Sequence, residues 1–342
     1  MKRTAWVAGL WGIASLVSPA QDAAPAKGVN MEWVRTLDAK GRYVSLSGPW
    51  LFVTSDNRPT NQAPGYAFDL RADPDAPARA WETLPGAWDI AVAETCAAVC
   101  DYTKFLTVYE MTPTNWTLAA KLDMPSMTEN IIIRRHLAYV AVHNGGLVIV
   151  DFSAPAKPRI VGTLDPKIDA DGIALWKDCA VLYGHWQSRL VLVDVSDPAN
   201  PRQVGAYQHD EKTFIQGEAA AADGLAFAAA GTNGVVIVDI RDPANPKRAA
   251  VVNVGAPVPD VAAAGRFAFV AANARGVRVF DVKDPANPVE VGSYERPELA
   301  AVSLAVAPIV PAGAAPDAPP TGYRVYVANL RGPAMVLKFA GQ

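Results

Sequence analysis

The sequence is poor in cysteine, and its three cysteines, Cys96, Cys100 and Cys179, cannot all pair with one another. The internal repeat places Cys96 and Cys179 at equivalent positions two units apart, which is too far for a disulfide. Cys96 and Cys100 lie four residues apart in a predicted strand, roughly 13 Å along its length. We therefore expect buried thiols, with a local Cys96–Cys100 bridge as the alternative.

Long apolar runs are missing except near the start, where two basic residues precede an apolar stretch from Ala5 to Val17. Small residues at Ser18 and Ala20 suit signal peptidase, so residues 1–20 are predicted to be a signal peptide. The alternative is an uncleaved membrane anchor, although the stretch is short for a bilayer span. We expect an exported protein, periplasmic, extracellular or on the cell surface, with no membrane span once the signal is removed.

The sequence also lacks an excess of positive charge. The signal peptide holds two of the 31 basic residues and none of the 34 acidic ones, so the remaining chain has a net charge of about −5. A negative chain repels phosphate backbones and anionic lipid headgroups. The net charge therefore argues against nucleic acid and anionic membrane surfaces as main partners.

An apolar run, an acidic residue and a turn recur along the chain. In four well-matched units the acidic residue is an aspartate, and stepping back twice by 41 residues finds Glu110 and Asp69 in two weaker units. The six positions are Asp69, Glu110, Asp151, Asp194, Asp239 and Asp281. A period of 40–45 residues is typical of a repeat architecture.

Each unit is predicted to contain four short strands. In the sixth unit they are DVAAA, FAFVA, GVRVFDV and VEVGSY, bounded by Gly, Pro, Asn and Asp. The third strand, such as Leu147 to Val150, is apolar at consecutive positions, which is typical of a strand covered on both faces. Four-stranded antiparallel sheets stacked face to face in a ring form an all-β fold, the β-propeller.

The ends of the chain indicate seven blades. The last unit carries a Pro- and Ala-rich insertion, residues 307–322, and omitting it returns Lys338 to the position of the repeated aspartate. That unit stops without a fourth strand, whereas Met31–Leu37 resembles one. We predict a short linker at 21–30 and a single seven-bladed propeller domain at 31–342. The N-terminal strand would complete the C-terminal blade and close the ring.

The GLVIVD run and the Asp-Pro-Ala-Asn-Pro turn resemble the LVIVD-repeat family, exported bacterial and archaeal proteins with a predicted propeller fold. Four units match well and three are degenerate, together covering residues 31–339. The resemblance implies the fold and export but no activity, because no catalytic motif is tied to this repeat. We interpret the repeated aspartate as a structural residue that accepts backbone hydrogen bonds in the next turn.

Aligning the blades places polar residues at the mouth of the central channel. The candidate metal ligands are Asp89, Glu129, Asp171, Glu218 and Asp260. Carboxylate oxygens suit a hard cation such as Ca²⁺, and close carboxyl groups shift one another's pKa values enough for acid–base chemistry. The alternative interpretation is a polar, hydrated channel lining.

Loops on the same face carry histidines and aromatic residues. His143 and His185 occupy the same loop position on adjacent blades, where they could bind a transition metal, transfer protons or simply be solvated. Aromatic residues among polar loop residues are typical of recognition surfaces. The binding candidates on this face are Trp88, Tyr102, His143, His185, Trp186 and His209.

These features favour an exported, monomeric, non-catalytic scaffold without a cofactor, binding a protein, peptide or glycan at the cell envelope. No Gly-x-Ser-x-Gly elbow, phosphate-binding glycine loop or His-Glu-x-x-His motif occurs. The alternative function is a lactonase-like hydrolase that uses Ca²⁺ or another divalent cation at the channel carboxylates.

Overall fold

The computed structural model describes residues 28–55, 65–84, 87–93, 96–112, 115–210, 217–311, 313–315 and 318–341. The predicted signal peptide, residues 1–20, and most of the predicted linker lie outside the described residues. The described chain is all-β and forms seven antiparallel sheets. None of its elements is a helix long and apolar enough to cross a bilayer.

The chain begins with β1 (Gly28–Val29) and β2 (Met31–Thr36), which join the last two sheets. Sheet 1 contains β3 (Tyr43–Ser47), β4 (Trp50–Thr54), β5 (Gly65–Asp69) and β6 (Ala78–Leu84). Sheet 2 contains β7 (Asp89–Ala93), β8 (Cys96–Cys100), β9 (Phe105–Met111) and β10 (Trp116–Asp123). Sheet 3 contains β11 (Thr128–Arg134), β12 (Leu137–Val142), β13 (Gly146–Asp151) and β14 (Arg159–Leu164).

Sheet 4 contains β15 (Gly172–Trp176), β16 (Cys179–Gly184), β17 (Arg189–Asp194) and β18 (Arg202–Gln208). Sheet 5 contains β19 (Ala219–Ala222), β20 (Leu225–Ala229), β21 (Val235–Asp239) and β22 (Lys247–Val252). Sheet 6 contains β23 (Asp260–Ala264), β24 (Phe267–Ala271), β25 (Val277–Asp281) and β26 (Val289–Tyr294). Sheet 7 contains β27 (Ala301–Ile309), β28 (Gly322–Asn329) and β29 (Met335–Phe339).

Apolar side chains pressed between neighbouring sheets hold the ring together. The third strands are covered on both faces, as their uninterrupted apolar runs predict, and Leu147 to Val150 are fully buried. Ile149 of sheet 3 packs in one cluster with Val191 of sheet 4. A corresponding cluster joins Tyr326 of sheet 7 to Leu51 of sheet 1. The seven sheets are therefore the seven blades of a β-propeller.

The two N-terminal strands extend the last two sheets. β2 lies antiparallel to β29, with Arg35 opposite Val336, and is the outer strand of sheet 7. β1 pairs with β26, so sheet 6 has a fifth strand and part of the predicted linker is a strand. Ala307–Ile309 and Gly322 also pair within sheet 7, which makes the inserted loop shorter than the predicted 307–322.

The repeated aspartate has the predicted structural role in the turn after the third strand. Asp151 Oδ1 accepts a hydrogen bond from the Ser153 N–H at 2.8 Å, and Asp194 Oδ1 accepts one from the Ser196 N–H at 3.0 Å. The turn then packs on the outer strand of the preceding blade. A Cβ added at Gly205 in β18 would lie 2.0 Å from the Pro243 carbonyl oxygen of sheet 5. The repeat therefore encodes contacts between blades as well as turns.

The three cysteines are buried thiols, as expected. Cys96 and Cys100 are the two ends of β8, and Cys179 begins β16. Burial raises the pKa of Cys100, with the Asp89 charge as a further cause, and burial raises the pKa of Cys179 to about 11. Both thiols are therefore protonated at neutral pH.

Candidate functional site on the loop face

One face of the propeller carries the turns between second and third strands together with the segments that join successive sheets. We call it the loop face, and its fully described turns are residues 101–104, 143–145, 185–188, 230–234, 272–276 and 330–334. Backbone hydrogen bonds connect each turn to a joining segment. The His143 N–H donates to the Met127 carbonyl at 2.9 Å, and the N–H groups of Asn273 and Ala301 each donate to the other's carbonyl at 3.0 Å.

The innermost strands surround a central channel with a cavity of about 500 Å³. Small and branched apolar residues, such as Ala91, Ile131 and Ala174, form much of its wall. The predicted carboxyl groups of Asp89, Glu218 and Asp260 lie among the lining residues at the loop-face end, where their strands begin. Three of the five candidate metal ligands therefore do meet at the channel mouth.

Asp89 and Asp260 form equivalent hydrogen bonds between blades. Asp89 Oδ2 accepts from the Ile131 N–H of sheet 3 at 3.1 Å, and Asp260 Oδ2 accepts from the Leu304 N–H of sheet 7 at 2.8 Å. Burial raises the pKa of Asp89 to about 7 and that of Asp260 to about 6, although these N–H groups oppose the shift. Each carboxyl group therefore connects two neighbouring innermost strands.

Glu218 is held from across the channel. Its Oε2 accepts a hydrogen bond from Asn130 Nδ2 at 2.8 Å, which joins sheet 5 to sheet 3. Burial, together with the negative charges of Asp260 and Asp89, raises the pKa of Glu218. The three channel carboxyl groups thus retain protons to a higher pH than exposed ones, and their role as cation ligands stays a prediction.

The other two candidate ligands, Glu129 and Asp171, are buried beneath the loop-face turns. His143 Nδ1 lies 2.9 Å from Glu129 Oε1, and His185 Nδ1 lies 2.5 Å from Asp171 Oδ2. In both sheets the acid precedes its histidine by 14 residues. The acid lies at or just before the start of the innermost strand, and the histidine directly follows the second strand. Two of the predicted metal ligands are therefore in contact with two of the predicted loop-face histidines.

A third acid, Asp169, joins the pair in sheet 3. Its Oδ1 lies 2.7 Å from His143 Nδ1 and accepts the Asn144 N–H at 3.2 Å. Burial raises the pKa of Glu129 to about 7, and the hydrogen bond to Glu129 raises the pKa of His143. Asp169 is not among the residues predicted from the sequence, although it stands two residues before Asp171 in an Asp-Ala-Asp stretch of the same joining segment.

An aromatic row occupies the corresponding positions of sheets 1 and 2. The Trp88 ring lies between those of Tyr43 and Tyr102, with centroids 5.0 and 4.9 Å away, and the Tyr102 centroid is 6.0 Å from that of His143. Trp88 is buried. Trp88 therefore packs against the two tyrosines and is not itself part of the exposed surface.

Of the other loop-face candidates, His185 and His209 are also buried. His209 Nε2 lies 3.3 Å from the Tyr183 hydroxyl. Trp186, in contrast, is 55% exposed, and its ring centroid lies 4.7 Å from that of His185. The buried Asp171–His185 pair thus supports an exposed tryptophan.

Comparison with protein families matches the LVIVD repeat to residues 126–165, 183–209, 220–254 and 257–296. These stretches lie in sheets 3 to 6, and they confirm the resemblance of those units. No curated protein sequence matches the chain.

Solved propellers resemble the whole ring. Sqt1 of Saccharomyces cerevisiae is 8% identical with a TM-score of 0.57, over 91% of this chain and 97% of that one. The WD40 domain of Toxoplasma gondii coronin is 12% identical with a TM-score of 0.65, over 94% and 90%. The WD40 repeats of RRP9 are 10% identical with a TM-score of 0.65, over 92% and 99%. These likenesses show the fold alone, and none supports the alternative hydrolase.

Proposed function

We propose that this propeller, whose sheets 3 to 6 match the LVIVD repeat, is a non-catalytic scaffold whose loop face binds a protein or peptide. The observation that supports this proposal most directly is that two large apolar side chains on the loop face are exposed. Trp186 in sheet 4 is 55% exposed and Leu330 in sheet 7 is 60% exposed. Sheets 4 and 7 lie on opposite sides of the channel mouth, so a ligand that covers both side chains must span the face, as a protein or extended peptide does.

The surroundings of Leu330 favour the same kind of partner. A small pocket of about 170 Å³ lies beside it, lined by Arg42, Tyr43, Pro259 and Asn273 among others. The channel carboxyl groups of Glu218 and Asp260 also line it, so the pocket suits a side chain with an apolar body and a hydrogen-bonding end. Because the loops are supported by rigid sheets, binding does not require the scaffold to become ordered, and the free-energy cost of ordering is avoided.

We further propose that the protein is exported and works at the cell envelope. The basic start, the apolar stretch from Ala5 to Val17 and the small residues before Gln21 support this. Fractionation of the producing cells, with mass spectrometry of the mature N-terminus, tests it. A chain that begins at Gln21 in the envelope or medium is expected, and an intact N-terminus in the cytosolic fraction would overturn the proposal.

Affinity capture from an envelope extract tests the binding role. The Trp186→Ala, Leu330→Ala double variant should recover about tenfold less of a partner that the wild-type protein retains. Leu118→Ala is the matched control, because Leu118 is 56% exposed but lies in the outer strand β10, away from the loop face. A partner retained equally by all three proteins, or no partner above background, would contradict a role of this face in binding.

A further inference from the structure

Glu129, His143 and Asp169 bring three ligand atoms together between sheets 3 and 4. One nitrogen and two carboxylate oxygens lie within 4.8 Å of one another. Glu129 lies in β11, His143 follows β12, and Asp169 belongs to the segment that leads into β15. We propose that this cluster binds a divalent transition metal ion, Zn²⁺ above all, which links sheet 3 to the entry of sheet 4. The inference is independent of any partner on the loop face.

The donor set indicates the class of metal. Zn²⁺ binds imidazole nitrogen and carboxylate oxygen at about 2.0–2.2 Å, commonly with three protein ligands and one open position. Ca²⁺ takes six to eight oxygen ligands and has little preference for a nitrogen donor. A cluster of one imidazole and two carboxylates is therefore suited to Zn²⁺ and unsuited to the Ca²⁺ expected at the channel mouth.

A zinc ion fits among the three ligand atoms if the two carboxylate oxygens move slightly away from His143 Nδ1. His143 Nδ1 lies 2.9 Å from Glu129 Oε1 and 2.7 Å from Asp169 Oδ1, as expected when a proton on that nitrogen faces both oxygens. Tetrahedral zinc ligands are about 3.4 Å apart at these bond lengths, so each oxygen must retreat by roughly 0.5–0.7 Å. Replacing the proton by the ion uses the same three side chains.

Electrostatics favour a cation at this position. The side chains of Glu129 and Asp169 are 1% and 8% exposed, and the Asp171 carboxyl group is close enough to act on both. Buried carboxylates that face one another are costly unless a positive charge compensates them. The His143 side chain is 21% exposed, so water reaches the open side of the cluster and can occupy the remaining coordination position.

Sheet 4 contains a natural comparison. Asp171 and His185 repeat the 14-residue spacing and the acid–imidazole contact, but His185 is almost fully buried. Within the described part of the chain, the sheet 3 cluster is the only group of three such ligands. An acid–histidine pair on its own is therefore expected to bind zinc poorly, and the second carboxylate makes the difference.

Calorimetric titration of the EDTA-treated protein with ZnCl₂ tests the proposal, with CaCl₂ as the comparison ion. The wild-type protein is expected to bind one Zn²⁺ per chain. His143→Gln and Asp169→Asn should each weaken that binding by at least about tenfold, since even the loss of an outer-shell partner has this effect. His185→Gln is the matched control and should stay within about twofold of the wild type.

Thermal melts of the same proteins keep the test independent of folding defects. Zinc should raise the melting temperature of the wild-type protein and of His185→Gln, but not that of His143→Gln, because only an intact site links binding to stability. The proposal is overturned if the folded wild-type protein does not bind one Zn²⁺ in the micromolar range. It is equally overturned if the variants bind zinc as the wild type does, or if Ca²⁺ binds at the same site with comparable affinity.

Discussion

Lys338, in the last strand of sheet 7, places its Nζ 2.6 Å from Asp75 Oδ2 in sheet 1. Arg324 of sheet 7 also contacts this carboxylate, with Nε 2.6 Å from Oδ1. The Tyr326 hydroxyl donates to the neighbouring Pro74 carbonyl at 3.0 Å. Lys338, which replaces the repeated aspartate, thus binds the turn between β5 and β6 of sheet 1 and links the first and last blades.

Asp75→Asn should therefore weaken this junction. The change leaves two cations without their carboxylate, and a loss of about 1 kcal/mol in the free energy of unfolding is expected after allowance for solvent screening. Urea denaturation gives the value. Asp73→Asn is the control, because Asp73 lies in the same turn but is exposed. An equal loss in both variants would show that the pairing with sheet 7 contributes nothing.

Gly205→Ala should destabilise the contact between sheets 4 and 5. The new Cβ would lie 2.0 Å from the Pro243 carbonyl oxygen, which belongs to the backbone and cannot rotate away. A loss of roughly 2 kcal/mol in the free energy of unfolding is expected from the forced shift. Ala250 holds the equivalent position in sheet 5. The reverse change there, Ala250→Gly, should have a clearly smaller effect in the same denaturation experiment.

Glu218→Gln should alter how stability depends on pH. The channel carboxyl groups bind protons more tightly when folded, with the pKa of Asp89 raised to about 7 and that of Asp260 to about 6. Their contribution to stability is therefore present below the ordinary carboxyl pKa near 4 and is lost as pH rises through 6 to 7. The glutamine still accepts from Asn130 but carries no charge. It should raise the free energy of unfolding by about 1–2 kcal/mol at pH 8 and have little effect at pH 4.

Denaturation at both pH values measures this difference. Glu32→Gln, at an exposed position of β2, removes the same charge away from the channel and should leave the curve unchanged. A Glu218→Gln effect of equal size at pH 4 and pH 8 would contradict the assignment to charge repulsion.

Thiol labelling distinguishes buried thiols from the alternative disulfide. The folded protein should not react with N-ethylmaleimide at pH 7.5, because burial both shields the thiols and raises the pKa values of Cys100 and Cys179. Three labels per chain are expected after denaturation without reductant. A single label under those conditions would reveal a Cys96–Cys100 bridge.

The local elements were predictable because each short strand is bounded by its own turn residues. All four strands of the sixth unit, from Asp260 to Tyr294, begin or end within one residue of the predicted segments. The inserted loop was predicted less well. Ala307–Ile309 carry no alternating pattern of their own, yet they extend β27 because Gly322–Arg324 lie beside them.

The candidate site was predictable only in part. Blade alignment grouped Asp89, Glu218 and Asp260, and all three line the channel because equivalent positions in a ring of sheets face it. The alignment could not show that Glu129 turns away from the channel toward His143. Only the fold shows that His143 and Asp169 lie within reach of the Glu129 carboxyl group.

The order of residues along the chain determined the architecture of this protein. A repeat of apolar strands and Asp-Pro turns has few ways to bury both faces of every sheet, and a ring is one of them. Only the tertiary structure decided which side chains meet between blades. Asp169 reaches His143, and Asp75 reaches Lys338, because the twist and spacing of neighbouring sheets bring together loops that are distant in sequence.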